Sequence, residues 1–491
     1  MRCARSITVF LSALALTACG GADDGTVEIA VIGAEQNLTS GSLRLSEGAQ
    51  LVRSATAQGL VVFDANGDVL PGLADSWIVT DDGRSYIFRL RNAQWADGSR
   101  VDGRTAATAL KQAMDGLDGT SLGLDLAPVA EVRAMAGRVV ELRLSSPVPN
   151  LLQVLAQPEL ALRRDGAGLG DMAAEQSVGE EEGDALTFAM RPPSDRGMPQ
   201  DEGWEADYRA VTLRALAAET ALQGFSEGRF DLVTGGRLDF WPMADPGPLS
   251  RGNVRIDPAI GLFGLQVMRA DGVLADPEAR SALSLALDRA ALVEPFGIAG
   301  WTATARIVPP EFYTDFTVPE RWSEFSLEDR QAEAGRRIAA ALDGAERAQV
   351  AIYLPDGPGF DRLFVQLQAQ WTPLGLDVVR AETRGGADLV LLDRVARFAG
   401  PRWFLGQFHC SLDRGLCSPE ADAQVALAVA GEGELTRTQT LQQAEAIMLR
   451  DAIYIPFGAP IRWSLVRGSV TGFAPNRWAF HPLPPMATLP R

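Results

Sequence analysis

The clearest alternation of apolar and polar positions lies in residues 73–98, LADSWIVTDDGRSYIFRLRNAQWADG. One alternating run surrounds Trp77, a second runs from Tyr86 to Leu90, and the pair Asp82-Gly83 lies between them. Alternation at every second position puts one set of side chains on a single face of a strand, and Asp-Gly pairs favour the tight turns of hairpins. The pattern therefore predicts a β-hairpin with one buried face.

Helical and strand patterns alternate along the rest of the chain. Asp102 is a suitable N-cap for an alanine-rich helix predicted over residues 105–114. The acidic stretch over residues 165–184 has few aromatic residues and is predicted to be a loop. Short apolar runs typical of strands cover residues 27–33, 230–235, 348–354, 387–393 and 452–458. Because helical patterns separate these runs, the chain is predicted to have an α/β fold.

The N-terminus, MRCARSITVFLSALALTACGG, has two arginines followed by an apolar run over residues 7–16. This run is about half of the roughly 20 residues that a membrane-spanning helix needs, so the segment is predicted to be a secretion signal. The small residues before Cys19 resemble the lipobox of bacterial lipoproteins, which implies a signal peptide of residues 1–18 and a lipidated Cys19. An ordinary signal peptide is the alternative. We expect residues 19–26 to tether the protein to a membrane, in the periplasm or at the cell surface.

The composition fits an exported globular protein and argues against one class of partner. The formal net charge is −18, whereas proteins that bind nucleic acid present basic faces to the phosphates. Hydrophobic residues make up 46% of the chain, which is ordinary for a folded protein. We therefore expect a body of about two or three domains, with no nucleic-acid partner and no membrane contact beyond the N-terminal lipid.

Two cysteines remain once the N-terminal segment is set aside, because Cys3 leaves with the signal and Cys19 is the lipidation site. Cys410 and Cys417 lie close together in CSLDRGLC, and an exported compartment favours their oxidation to a disulfide. Two free thiols are the alternative. The chain has only two histidines, and the cysteines lack the usual spacing of zinc ligands, so no metal site is predicted.

A catalytic function has little support in the sequence. Residues 119–123, GTSLG, match G-x-S-x-G, but that motif needs a strand before the serine and a helix after it. Here a helix-like segment precedes the serine and a proline follows soon after it. A phosphate-binding loop of the Walker kind is also missing from the sequence. We expect neither enzymatic activity nor a cofactor, and a secreted serine hydrolase is only a remote alternative.

Residues 70–101, LPGLADSWIVTDDGRSYIFRLRNAQWADGSRV, resemble the signature of the family 5 (peptide/nickel-type) solute-binding proteins of ABC importers. That signature runs Pro, Leu-Ala, Ser-Trp, Asp-Asp-Gly, Tyr-x-Phe-x-Leu-Arg and aromatic-x-Asp-Gly, and all of it is present in order. One departure is Asp102-Gly103, where the family usually has Thr-Ala. Further segments similar to the family cover residues 219–236, 279–293, 363–379 and 444–476.

The resemblance implies two α/β lobes joined by crossing strands, with an extra β-rich subdomain on the first lobe. We assign residues 27–255 to the first lobe, with the subdomain at about 46–160. Residues 256–464 form the second lobe, and residues 465–491 return to complete the first. A monomer of this kind binds a peptide or peptide-like solute between its lobes and delivers it to an ABC permease and ATPase. A transporter-independent lipoprotein that senses ligands or acts as a chaperone is the alternative.

The resemblance also implies candidate ligand-binding residues. Glu35 occupies the place of a family glutamate in a loop that lines the cleft, although a solvated loop carboxylate is equally compatible with the sequence. Phe240 and Trp241 follow the end of a predicted strand, where α/β sheets place ligand loops, and a hydrophobic plug between the lobes is the alternative. Trp301 and Trp403 are further candidates, because aromatic walls suit a receptor for varied side chains.

A departure near residue 400 bears on the ligand. Peptide-binding members carry Asp-Pro before an aromatic residue here, and that aspartate binds the free α-amine of the peptide. This chain has Gly400-Pro401 instead, and the nearest charges are Arg397 and Arg402. Either Glu35 or another carboxylate replaces the aspartate, or the ligand lacks the amine and offers an anionic group. We therefore hypothesise an amine-poor, peptide-like ligand, with Arg402 as an anion contact.

Overall fold

A computed structural model describes residues 25–34, 38, 45–177, 185–244, 251–313, 320–431 and 433–489. Its strands are β1 (Val27–Ile32), β2 (Val61–Phe63), β3 (Val69–Pro71), β4 (Ala74–Val79), β5 (Ser85–Leu90), β6 (Val129–Ala134), β7 (Val139–Leu144), β8 (Arg163–Arg164), β9 (Ala167–Gly168), β10 (Met172–Ser177), β11 (Ala185–Met190), β12 (Val211–Leu216), β13 (Leu232–Arg237), β14 (Val254–Ile256), β15 (Gly261–Val267), β16 (Ala348–Tyr353), β17 (Leu376–Arg380), β18 (Leu389–Val395), β19 (Tyr454–Gly458) and β20 (Arg462–Val466).

The α-helices are α1 (Glu47–Thr56), α2 (Gly103–Asp115), α3 (Ser121–Leu126), α4 (Leu151–Leu155), α5 (Ala218–Glu227), α6 (Pro277–Leu285), α7 (Arg289–Val293), α8 (Leu327–Ala341), α9 (Pro358–Trp371), α10 (Pro401–Gly406), α11 (Pro419–Ala430), α12 (Glu434–Arg450) and α13 (Leu483–Met486). In the ranges given above, no helix combines the length and the apolar character needed to cross a bilayer.

Two mixed sheets form the centres of the two lobes. The first has the strand order β10-β11-β12-β1-β13-β20-β14, and its strand β1 runs parallel to both β12 and β13. The second has the order β17-β16-β18-β15-β19, and β16 runs parallel to β17 and β18. Every residue of β15 is buried, as expected for a strand covered on both faces. The predicted two-lobed α/β fold is thereby confirmed.

The chain crosses between the lobes twice. It leaves the first sheet after β14, enters the second sheet at β15, and returns between β19 and β20. The return crossing therefore lies at residues 459–461, before β20. The boundary predicted after residue 464 falls inside β20. The residues of this strand give no sign of where the crossing ends, so the sequence alone could not place the boundary.

A four-stranded antiparallel sheet, β4-β5-β7-β6, forms the subdomain together with α2, α3 and α4. The predicted hairpin is confirmed: Trp77 of β4 lies opposite Phe88 of β5, and Gly83 makes the turn with a φ of 65°. The predicted start of α2 is confirmed as well. The Asp102 carboxylate accepts from the backbone N–H of Thr105 at 2.8 Å, and Thr105 completes a reciprocal capping box.

Part of the stretch predicted to be a loop is instead regular structure. β8 pairs with β9, and β10 forms the edge of the first sheet; residues 178–184 lie outside the described part of the chain. Within β10, Met172 is buried, whereas the side chains of residues 173–176 are exposed. An edge strand that buries so little has no apolar alternation, and the acidic sequence therefore resembled a loop.

The core of the subdomain continues into the second lobe. One hydrophobic cluster includes Phe88 and Leu142 from the subdomain sheet together with Phe404 and Phe408 at α10. All four side chains are buried to 2% exposure or less. This packing brings α3 of the subdomain against α10, at one end of the space between the two main sheets.

Candidate functional site

A cavity of about 600 Å³, called the cleft below, lies between the two lobes. From the first lobe it is lined by the end of β13 at Arg237, by the start of α1 at Glu47 and by α3 at Ser121. From the second lobe it is lined by the end of β18 at Asp393 and Arg394. Open α/β sheets commonly bind ligands at the carboxyl ends of their strands, and the volume is typical of small-molecule sites.

Two ion pairs lie on the floor of the cleft. Arg237 donates to Glu47 at 2.6 Å, and Arg462 donates to Asp393 at 2.8 Å. Burial would raise the pKa of Glu47, but the guanidinium groups of Arg237 and Arg462 hold that pKa below its ordinary value. Within the described residues, Asp393 Oδ2 is buried and has no hydrogen-bond partner.

The segment after β18 is bound to the subdomain across the cleft. Arg397 donates to Glu159 at 2.8 Å and to Gln157 at 3.1 Å, and the Gln157 amide donates to the Arg397 carbonyl at 2.9 Å. Asn150 donates to the carbonyl of Ala399 at 2.8 Å. Arg397 thus lines the cleft, as the sequence suggested, but its charge is already bound by Glu159.

Arg402 lies away from the cleft. Helix α10 begins at Pro401, and Arg402 donates to the backbone carbonyl of Asp125 at 2.9 Å, with its guanidinium 5.5 Å from the ring centre of Phe398. It lines a separate pocket of about 110 Å³. Burial raises the pKa of the Asp125 carboxyl to about 7, although the charges of Arg402 and Arg397 act in the opposite direction. The anion contact at Arg402 stays a prediction, and its guanidinium lines this smaller pocket rather than the cleft.

The aromatic candidates are divided between the cleft and the core. Trp403 is 2% exposed and lines the cleft. Trp241 does not line the cleft; its ring packs against Trp463 at a centroid distance of 6.1 Å. Phe240 packs against the hydrophobic cluster that contains Trp463. Phe240 and Trp241 thus fit the packing alternative better than ligand contact. Trp463, which the sequence analysis did not select, lines the cleft beside them.

Trp301 lies at a second cavity of about 460 Å³ beside the two crossing segments. Its indole N–H donates to the carbonyl of Ala459 at 2.8 Å. This bond joins the second lobe to the return crossing, so Trp301 contacts the hinge rather than the cleft.

Four further predictions concern Glu35, Cys19, the cysteine pair and metal binding. Glu35 and Cys19 lie outside the described residues. Cys410 and Cys417 form a disulfide, with Cα atoms 5.3 Å apart. A search of the described residues finds no group of three or more His, Cys, Asp or Glu side chains placed to hold a metal ion.

Arg394 is a cleft residue that sequence reasoning missed. It donates to the side-chain oxygen of Gln407 at 3.1 Å. Burial, followed by the charges of Arg414, Arg384 and Arg397, lowers the pKa of Arg394 to about 10, so it remains charged at neutral pH. The signal that could have found it is the position of a charged pair, Asp393-Arg394, at the carboxyl end of a predicted apolar strand.

Ser121 lines the cleft but lacks the setting of a nucleophile. It is the first residue of α3, and the hydroxyl of Thr120 caps that helix by accepting from the N–H of Gly123 at 3.0 Å. The element before it is α2, not a strand. The strand–turn–helix that presents a catalytic serine in G-x-S-x-G enzymes is therefore not formed here.

Two lobes joined by two crossings, with a polar cleft between them, are the architecture of the two-lobed solute-binding proteins. The family model described as bacterial extracellular solute-binding proteins, family 5 Middle, matches residues 68–187. The periplasmic oligopeptide-binding protein OppA of Salmonella typhimurium is 22% identical over 461 residues, which cover 85% of this chain and 84% of OppA.

Solved structures show the same fold. Haemophilus influenzae OppA in complex with the peptide RPPGFSPFR has a TM-score of 0.78 at 18% identity, covering 95% of this chain and 99% of that one. The Escherichia coli murein tripeptide binding protein MppA matches with the same TM-score, identity and coverage. This chain is therefore similar to the family 5 solute-binding proteins in its residues 68–187, and it shares the two-lobed fold of the oligopeptide-binding structures.

Proposed function

We propose that this chain binds a peptide or peptide-like solute in the cleft and delivers it to an ABC permease and ATPase. The observation that carries this proposal is the cleft itself, which both lobes line and which has the volume of a small-molecule site. The peptide-binding relatives support the choice of ligand class. The ligand is expected to bind the closed arrangement of the lobes more tightly than the open one, so that its binding favours closure.

The polar groups of the cleft suit a ligand with amide bonds. Asp393 Oδ2 and Glu159 Oε2 are buried oxygens without a hydrogen-bond partner among the described residues. Each belongs to a carboxylate whose other oxygen accepts from an arginine. Because buried acceptors are costly when unsatisfied, a movement of the lobes that exposes these two oxygens to ligand N–H groups would favour binding.

If peptides bind in the cleft, a bulky side chain that fills part of it should weaken their binding. Gln50 of α1 lines it, with its amide 3.4 Å from Glu159. In calorimetric titrations of the purified mature protein with a pool of tri- to pentapeptides, Gln50→Trp should weaken binding at least about tenfold, because the indole occupies ligand space. The matched control is Gln223→Trp on the exposed side of α5, which should bind like wild type. No peptide binding to wild type, or unchanged binding by Gln50→Trp, would contradict the proposal.

We further propose that the protein is a monomer in the periplasm or at the cell surface, anchored only through lipid on Cys19. The lipobox-like sequence supports this proposal. Cys19→Ala should move the protein from the membrane fraction to the soluble fraction, because two acyl chains are needed for a stable anchor. Cys3→Ala is the control and should leave the protein in the membrane fraction. Equal partitioning of Cys19→Ala and wild type would exclude the anchor, and light scattering of the released form would test the monomer.

A further inference from the structure

The cleft carboxylates are already engaged with basic side chains. This holds for every acidic residue that lines the cleft in the described part of the chain. The ion pairs are Glu47 with Arg237, Glu159 with Arg397 and Asp393 with Arg462. Asp257 accepts from the backbone N–H of Asn476 at 2.9 Å and lies 3.3 Å from the His481 ring nitrogen. A ligand amine that used one of these carboxylates as its counter-charge would have to compete with the basic group already there. The described cleft therefore has no carboxylate reserved for a ligand cation.

The positive charge of Arg394 is not balanced in the same way. No described carboxylate lies within 4.0 Å of its guanidinium, and its hydrogen-bond partner is the neutral amide of Gln407. Arg414 also lines the cleft, so this side of the cleft carries a second basic side chain. A half-buried charge without a counter-ion is unfavourable, so an anion placed here gains both the Coulomb attraction and charge-assisted hydrogen bonds.

From this charge distribution we infer that the solute is an acid with net negative charge, whose anionic group binds Arg394. The inference rests on the proposed function and specifies the ligand class of the same cleft. A planar guanidinium can hold a carboxylate through two parallel hydrogen bonds.

Three tripeptide probes of equal length test the charge preference. They are N-acetyl-Ala-Ala-Glu, which is anionic, zwitterionic Ala-Ala-Ala, and cationic Ala-Ala-Lys-amide. In calorimetric titrations of the wild-type mature protein, the acid should bind at least about tenfold more tightly than the other two. Its affinity should fall as salt is raised from about 0.01 M to 0.15 M, because screening weakens an incompletely buried charge interaction.

Variants of Arg394 identify the residue responsible. Arg394→Gln should weaken binding of the acid about tenfold, since it loses a charged hydrogen-bond donor, while Arg394→Lys keeps the charge and should retain most of the affinity. Arg394→Glu should reverse the preference in favour of Ala-Ala-Lys-amide. Arg336→Gln, on an exposed part of α8, is the matched control and should behave like wild type. Thermal unfolding of each variant establishes that the fold is retained.

Two results would overturn the inference in distinguishable ways. If Ala-Ala-Ala or Ala-Ala-Lys-amide binds more tightly than the acid, is indifferent to Arg394→Gln and is lost in Gln50→Trp, the cleft binds peptides but the charge preference is wrong. If neither these probes nor the peptide pool bind the wild-type protein, both the inference and the proposed function fail.

Discussion

Replacement of Glu445 by alanine is expected to lower the free energy of unfolding by about 3–5 kcal/mol. Glu445 is fully buried on α12 and accepts four hydrogen bonds. They come from Arg306 at 2.7 Å, the backbone N–H groups of Ile307 and Val308 at 3.1 Å each, and the Tyr313 hydroxyl at 2.9 Å. The alanine variant leaves these donors buried without their acceptor, which costs more than the loss of an exposed contact.

Urea denaturation followed by circular dichroism measures this effect. Glu434→Ala is the matched control, because Glu434 is exposed in the first turn of the same helix and can interact only weakly with the helix dipole. Its expected effect is no more than about 1 kcal/mol. Comparable losses in the two variants would show that the four hydrogen bonds to Glu445 do not stabilise the second lobe.

The second large effect concerns the Asp393–Arg462 pair on the floor of the cleft. The side chains are 8% and 5% exposed, so Arg462→Met would leave a buried carboxylate without its counter-charge. We expect a loss of about 3–5 kcal/mol in the free energy of unfolding. The double variant Arg462→Met, Asp393→Leu should recover much of that loss, because an apolar pair of similar volume avoids the desolvation of both charges.

Arg143→Met is the control for this pair, since Arg143 is 55% exposed on β7 and should contribute about 0.5 kcal/mol or less. Additive losses in the double variant would contradict the coupling between Asp393 and Arg462. Because both residues line the cleft, a refolded and stable double variant should still bind peptides more weakly than wild type. The comparison therefore separates the contribution of the pair to stability from its contribution to binding.

The hairpin, the helix cap and several strands could be predicted, because each depends on residues that are close together in the sequence. The hairpin around Gly83 and the Asp102 cap depend on residues within a few positions of one another, and both are present in the structure. The apolar runs predicted as strands correspond to β1, β13, β16, β18 and β19, with ends shifted by a few residues. The resemblance to the family was concentrated in the same subdomain segment, and it carried the prediction of two lobes.

Partners of the charged and aromatic side chains could not be predicted in this way. Arg397 pairs with Glu159, which is 238 positions away, and Asp393 pairs with Arg462, which is 69 positions away. Pairs that are so far apart in the sequence leave no local pattern. Arg397 was therefore a plausible ligand contact in the sequence, whereas in the structure its charge is paired with Glu159. Trp241 was likewise a plausible ligand contact until its packing against Trp463 was known.

The sequence by itself determined the α/β class and the subdomain hairpin, because periodicity and turn chemistry act over short stretches of chain. It also carried the resemblance to the family 5 solute-binding proteins. Only the tertiary structure decided which charges line the cleft and which are already neutralised there. Arg402 and Arg394 are eight positions apart, yet the start of α10 turns the first toward Asp125, whereas the end of β18 leaves the second in the cleft. The direction of a side chain depends on the element that carries it and on how that element packs, and both depend on contacts between distant parts of the chain.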